Sequence, residues 1–230
     1  MQGVFITGTN TDVGKTHVGV LLVKALRKKN IKVIPRKPIE SGCNNIDGEL
    51  VPADAIALMK ASGYSGELTE VCPYRFEPPI SPVRAAHLAN RTVTTAQLVN
   101  TCLNGSENGF TLVEGAGGIY SPLTEDGLNA DLAAALQLPV LLIAEDTIGC
   151  INQVLLSVEA IKLRGLKLIG VVLNNIQDNR DDEMDNAADL RERLDCDVFC
   201  QAHGSNSTVP DDLVDTVIDQ AEMRVRSVAG

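Results

Sequence analysis

The sequence lacks a surplus of positive charge: 20 lysines and arginines stand against 30 aspartates and glutamates, a net charge of −10. That balance argues against a nucleic acid or an acidic membrane surface as partner, because either demands an excess of cations. Any anionic ligand must be held locally, by a few placed lysines and backbone N–H groups. Also missing is an apolar run approaching the ~18 residues of a membrane span. Met1-Gln2-Gly3-Val4-Phe5-Ile6 shows neither the basic region nor the cleavage site of a signal peptide. The six cysteines, at 43, 72, 102, 150, 196 and 200, form no CxxC pair, and Cys196 and Cys200 have no histidine at zinc-like spacing. Reduced thiols in a cytoplasmic protein are the expectation. Internal repeats and low-complexity tracts are absent too. What remains is 230 residues, 44% hydrophobic and 22% charged, in one continuous α/β pattern. One domain with a sizeable core accommodates it.

Gly3 to Thr7 predicts a short buried strand, Gly8 to Gly14 a turn, and Lys15 the start of a helix with Val18, Leu21, Leu22, Ala25 and Leu26 on one face. Further strands are expected at Ile31 to Ile34, Phe110 to Glu114, Pro139 to Ala144 and Leu166 to Leu173. Helical patterns lie at about 52–62, 94–104, 129–137 and 149–164, with a last helix at about 211–224. Continuous apolar strands alternating with amphipathic helices imply an α/β fold with a doubly wound, mostly parallel sheet. Residues 63–93, with Pro73, Pro78, Pro79 and Pro82, predict a long irregular excursion of the functional kind.

The strongest chemical signal is Gly8-Thr9-Asn10-Thr11-Asp12-Val13-Gly14-Lys15-Thr16, between the first strand and the first helix. Phosphates need several converging N–H groups, a glycine for close approach, a lysine as point charge and a hydroxyl for magnesium. Thr9 replaces the first glycine of the usual phosphate-loop pattern, yet the strand-loop-helix context marks a nucleotide site, hence a P-loop NTPase-like fold. Magnesium calls for carboxylates. Glu114, at the end of its apolar strand before Gly115-Ala116-Gly117-Gly118, is a Walker-B-like acid; Asp54 opens the helix near Pro52, where taken alone it reads as a partner of the helix dipole. Lys37, in Lys37-Pro38-Ile39-Glu40-Ser41-Gly42, follows the second strand at the ligand-binding edge of the sheet, where a lysine can neutralise phosphoryl charge, although taken alone it reads as a solvated loop lysine.

Together these segments, with Gly149-Cys150-Ile151-Asn152, resemble the dethiobiotin synthetase family in order and spacing over roughly three quarters of the chain. The resemblance implies an ATP- and Mg2+-dependent cyclo-ligase of biotin synthesis that closes a ureido ring on 7,8-diaminononanoate with CO2. One amine takes up CO2 as a carbamate, ATP phosphorylates it, and the second amine displaces phosphate. The implied nucleotide contacts are Asp12, Val13, Gly14, Lys15, Thr16 and His17, then Asp54, Glu114, Gly115, Ala116 and Gly117, with Asn174 and Asn175 on adenine. Thr16, Asp54 and Glu114 would hold the magnesium; Lys37, Lys15 and Thr11 would stabilise the carbamate and the moving phosphoryl. Ser41 would contact the diamine chain. Gly149, Cys150, Ile151 and Asn152 would bind the substrate carboxylate at a helix N-terminus, in the site of the neighbouring subunit of a homodimer. No protein nucleophile is visible, as suits phosphoryl transfer by positioning and charge.

The chain departs from the family in three places. Residues 176–195 contain no tyrosine, Cys200-Gln201-Ala202-His203 replaces a Gly-Glu-x-Pro turn, and Val83 replaces a frequent histidine. Two other classes share parts of the pattern. A partitioning-type switch ATPase carries an additional lysine where Thr9 stands, and a cobyrinic-acid-type amidotransferase needs a glutaminase domain for which 230 residues leave no room. A related ATP-dependent ligase on another substrate is the nearer alternative.

Overall fold

The computed structural model describes residues 1–176, 183–204 and 208–228, except the side chains of 222–228. Residues 177–182, part of the tyrosine-free stretch, and the side chains ending the last helix lie outside that description. Six parallel strands form the central sheet: β1 (Gly3–Gly8), β2 (Val33–Arg36), β3 (Phe110–Gly118), β4 (Val140–Glu145), β5 (Leu168–Asn174) and β6 (Asp197–Gln201). Their order across the sheet is β6-β5-β4-β1-β3-β2: the chain goes from β1 to the edge strand β2, returns to β3 beside β1, then crosses to β4 and runs outward to β6. A crevice at the carboxyl ends of the strands follows from that reversal.

Strand residues alternate between two cores. Val4, Ile6, Leu112, Leu141 and Ile143 face α1 (Lys15–Lys28), α2 (Ala53–Ser62) and the last helix, Asp211–Val228. Phe5, Val113, Leu142 and Ala144 face α3 (Thr95–Leu103), α4 (Asn129–Leu136), α5 (Cys150–Leu163) and α6 (Asn186–Arg191). Burial on both faces is why these strands are unbroken apolar runs. Among the described residues no helix is long and apolar enough to cross a membrane.

The structure corrects four expectations. β2 begins at Val33, because the Ile31 N–H closes the end of α1 on the Leu26 carbonyl. β3 continues to Gly118, which puts Glu114 inside the strand rather than at its end. The 63–93 excursion is not irregular: it holds helices Leu68–Val71 and Pro82–Leu88 and a strand, Tyr74–Phe76, parallel to Ile39–Ser41. There Ser81 caps a helix with Pro82 at its first position, a start signal that the proline count concealed. β6 and α6, unanticipated, complete the far edge of the sheet.

Candidate active site

The loop after β1 turns into α1 through two left-handed residues, Asp12 (φ 59) and Gly14 (φ 85). Gly14 is the N-cap and contributes no side-chain bond, so the first turn of α1 offers its N–H groups to a ligand. A Cβ at Gly14 would lie 2.0 Å from the Asn174 amide nitrogen. That amide, buried at the end of β5, donates to the Val13 carbonyl at 3.1 Å and props the loop from below. Lys15 Nζ donates to the Asn10 carbonyl at 2.9 Å, curling the loop over its own lysine. Burial, and then the charge of Lys37, lower the Lys15 ammonium to about 8.

Beside the loop, Lys37 is the centre of a buried charge cluster. Its Nζ donates to Glu114 Oε1 at 2.6 Å and to the Gly115 carbonyl at 2.9 Å, and stands 3.2 Å from Asp54 Oδ2. Only 3% of the Lys37 side chain and none of Glu114 is exposed. Burial alone would strip the proton from Lys37; Glu114 and Asp54 outweigh it and hold the ammonium above the ordinary lysine range. Burial likewise disfavours the Asp54 carboxylate, but the attraction of Lys37 wins and its pKa is lowered. Thr16 Oγ1 donates to the same Glu114 oxygen at 2.8 Å. Glu114 Oε2, by contrast, is buried without a hydrogen-bond partner among the described residues.

Two residues given no role by sequence reasoning brace this cluster. Glu40 accepts from the N–H groups of Asp54 and Ala55, both at 3.1 Å. Burial and the neighbouring Asp54 push its carboxyl up to about 6. The available signal was Pro52, which leaves α2 without a local side-chain cap. Asn129, fully buried at the start of α4, donates to the carbonyls of Ala116 (2.7 Å) and Gly118 (2.9 Å) and accepts from the Ala116 N–H. A Cβ on Gly115 would meet its Oδ1 at 2.3 Å, so the glycines of this segment allow that clamp.

A cleft of about 640 Å3 opens over these groups. It is lined by Thr11, Asp12, Gly14, Lys15, Thr16, Lys37, Glu40, Ser41, Asp54, Ala116 and Gly117, and walled by 79–82 and Ser121-Pro122. Glu114 and Gly115 lie directly beneath, bonded to Lys37. Ser41 Oγ donates to the Ile80 carbonyl at 2.7 Å, tying the floor to the wall. Val13 points into the core, and His17 stands exposed on α1, outside the lining. Asn175 is half-buried, its N–H bonded to the Gln201 carbonyl. Gly149, Cys150, Ile151 and Asn152 are not brought to this cleft within one chain; they open α5, beyond the end of β4.

The donors around Glu114 are all oxygens: two carboxylates and a hydroxyl, one carboxylate oxygen lacking a partner among the described residues. That chemistry fits a hard cation such as Mg2+ and does not suit zinc. Among the described residues no three acidic, histidine or cysteine side chains form a complete cage, so a cation held here would need phosphate and water as further ligands.

A family model described as an AAA domain matches residues 2–204. The chain is 39% identical over 205 residues to the ATP-dependent dethiobiotin synthetase BioD of Ruthia magnifica subsp. Calyptogena magnifica, covering 88% of this chain and 93% of that protein. It is 43% identical over 175 residues to the BioD of Anaeromyxobacter dehalogenans (strain 2CP-C), covering 76% and 77%. The chain belongs to the ATP-dependent dethiobiotin synthetase family. The septum site-determining protein MinD of Pyrococcus horikoshii OT3, solved with Mg-ADP, superposes with a TM-score of 0.53 at 14% identity, over 96% of this chain and 86% of that one. At that identity the likeness shows the fold alone: a six-stranded parallel α/β sheet with a loop and helix following its first strand.

The depressed Lys15 pKa makes a linkage prediction. Below about pH 8 Lys15 is charged in the empty protein, and above it the amine loses its proton. Phosphates favour the charged form, so nucleotide binding near pH 9 should take up close to one proton (roughly, by the usual linkage relation) and far less near pH 7. Calorimetry in buffers of different ionisation enthalpy measures this. Lys15→Arg, charged throughout, should abolish the uptake; equal uptake in both proteins would show that Lys15 is not its source.

Proposed function

We propose that the cleft makes dethiobiotin from 7,8-diaminononanoate, CO2 and ATP, with Mg2+ as cofactor and the residues named above in specific roles. Membership of the dethiobiotin synthetase family carries the ATP-dependent ligase activity in biotin synthesis. The observation that supports the site is a buried, charged lysine bonded to two acids beside a phosphate loop. Thr16, Asp54 and Glu114 would hold Mg2+, which when bound screens the negative charge of the β- and γ-phosphates. Residues 12–17 wrap those phosphates through backbone N–H groups. Lys15, Lys37 and Thr11 face the oxygens on which charge grows as the phosphoryl group moves, an electrostatic task needing no protein nucleophile. Asn174 and Asn175, at the end of β5 beside the loop, take the adenine edge. Ser41, on the cleft floor, lies along the diamine.

The carboxylate of the substrate is assigned to Gly149, Cys150, Ile151 and Asn152 of a second copy. Gly149 is the left-handed N-cap of α5 and, with no side-chain cap, leaves N–H groups for an anion. Exposed apolar side chains run from that helix start along α5 to its last residue: Ile148 at 87%, Leu156 at 59% and Leu163 at 76%. A homodimer covers the stripe and completes the site. The buried thiols Cys43, Cys72, Cys102 and Cys150 suit the reducing cytoplasm, where we place the enzyme.

Incubation with 13C-bicarbonate, diaminononanoate and Mg-ATP tests the function: the product should be dethiobiotin with one labelled carbon, and an unlabelled or unchanged diamine refutes it. Lys37→Ala should lower kcat about 100- to 1,000-fold, the cost of one transition-state donor, with little change in the KM for diamine. A raised KM at unchanged kcat would remove Lys37 from catalysis. Cys150→Asp should abolish diamine binding but spare ATP binding. Mixing Cys150→Asp with Lys37→Ala chains should recover activity, since hybrid dimers rebuild one intact site. A mixture that stays inactive despite proven subunit exchange contradicts the shared site.

A further inference from the structure

Helix α2 carries Asp54 in its first turn, yet its N-cap is Pro52, which has no side-chain acceptor to close the helix end. The N–H groups that a local serine or aspartate would satisfy are taken by a residue from another element. Glu40, on the Ile39–Ser41 strand, accepts from Asp54 N through Oε1 and from Ala55 N through Oε2. A carboxylate at a helix N-terminus also gains from the partial positive charge there. The residue is 6% exposed, so little water can replace either bond. The same short segment supplies Lys37 and Ser41, so Glu40 ties the cation, the floor and Asp54 into one unit.

We propose that Glu40 is a positioning residue: a tertiary N-cap that locks the first turn of α2 so that Asp54 stands at Lys37 and at the metal shell. The proposal rests on the assignment of Asp54 to magnesium made under Proposed function. With Glu40 removed, the uncapped turn after Pro52 frays, and Asp54 loses the placement that sets its oxygen 3.2 Å from Lys37 Nζ. Glu40 lines the cleft and adds its charge to the Lys37 cluster, but the role proposed for it is exerted through the placement of Asp54.

A double-mutant cycle read by Mn2+ binding, without turnover, tests this. Electron paramagnetic resonance measures Mn2+ affinity for the enzyme loaded with a non-hydrolysable ATP analogue, in wild type, Glu40→Ala, Asp54→Asn and the double variant. Glu40→Ala should weaken Mn2+ roughly 10- to 100-fold, as loss of a ligand's outer support does, and Asp54→Asn, which alters the ligand itself, at least as much. The double variant should be no weaker than Asp54→Asn alone. Pro52→Ser, which installs a local cap, should restore most of the affinity in the Glu40→Ala background. If Glu40→Ala does not fold, Glu40→Gln, which keeps one acceptor oxygen, enters the same cycle. Additive losses, or a Glu40 variant that binds Mn2+ like wild type while Asp54→Asn does not, overturn the proposal and leave the magnesium assignment standing. Undiminished binding in Asp54→Asn overturns that assignment and this inference together.

Discussion

Lys37, with 3% of its side chain exposed, holds its ammonium 2.6 Å from Glu114 and 3.2 Å from Asp54, and the top of the sheet is arranged around that charge. The register of the sheet makes the pair. Arg36 of β2 lies opposite Val113 of β3, so the next residues along the two strands are Lys37 and Glu114. Taking both ions out of water is costly, and removing either partner strands the other, typically at about 3–5 kcal/mol. The strand ends, the start of α2 and the glycine segment after Glu114 are therefore held as a set. Asn129 fixes the last of these, and with it the Gly115 carbonyl that accepts from Lys37.

In the proposed function this arrangement lets a protein of net charge −10 bind a polyanion. Positive charge is concentrated at Lys15 and Lys37, and both are restrained before any ligand arrives: Lys15 on the Asn10 carbonyl, Lys37 on its two acids. The backbone of the phosphate loop, locked by Asn174 against Val13, supplies the rest of the attraction through N–H groups that carry no net charge. Preorganisation of this kind leaves little reorganisation for the moment of phosphoryl transfer.

Much of this was legible in the sequence because the informative residues are neighbours in it. The phosphate loop lies within nine residues, Lys37 follows a strand directly, and Glu114 precedes four residues rich in glycine, so their order and spacing carried the family resemblance that implied their roles. The doubly wound sheet followed from the alternation of apolar runs and amphipathic helices. What escaped reading depends on partners distant in sequence. Glu40 reaches residues 14 and 15 positions away, and Asn129 reaches back 13 positions to Ala116. The short strand at Tyr74–Phe76 exists because Ile39–Ser41 offers it an edge, not because its three residues show a period. β2 was misplaced by two residues since Ile31, though apolar, serves the end of α1.

In the proposed function the buried Lys37 cluster serves a phosphoryl acceptor derived from the diamine, not water. Phosphate release from Mg-ATP, followed with and without diaminononanoate and bicarbonate, measures this most directly. The account predicts slow release from ATP alone and a large increase only when both co-substrates are present, with one phosphate per ring closed. Hydrolysis at the same rate without the diamine would contradict it.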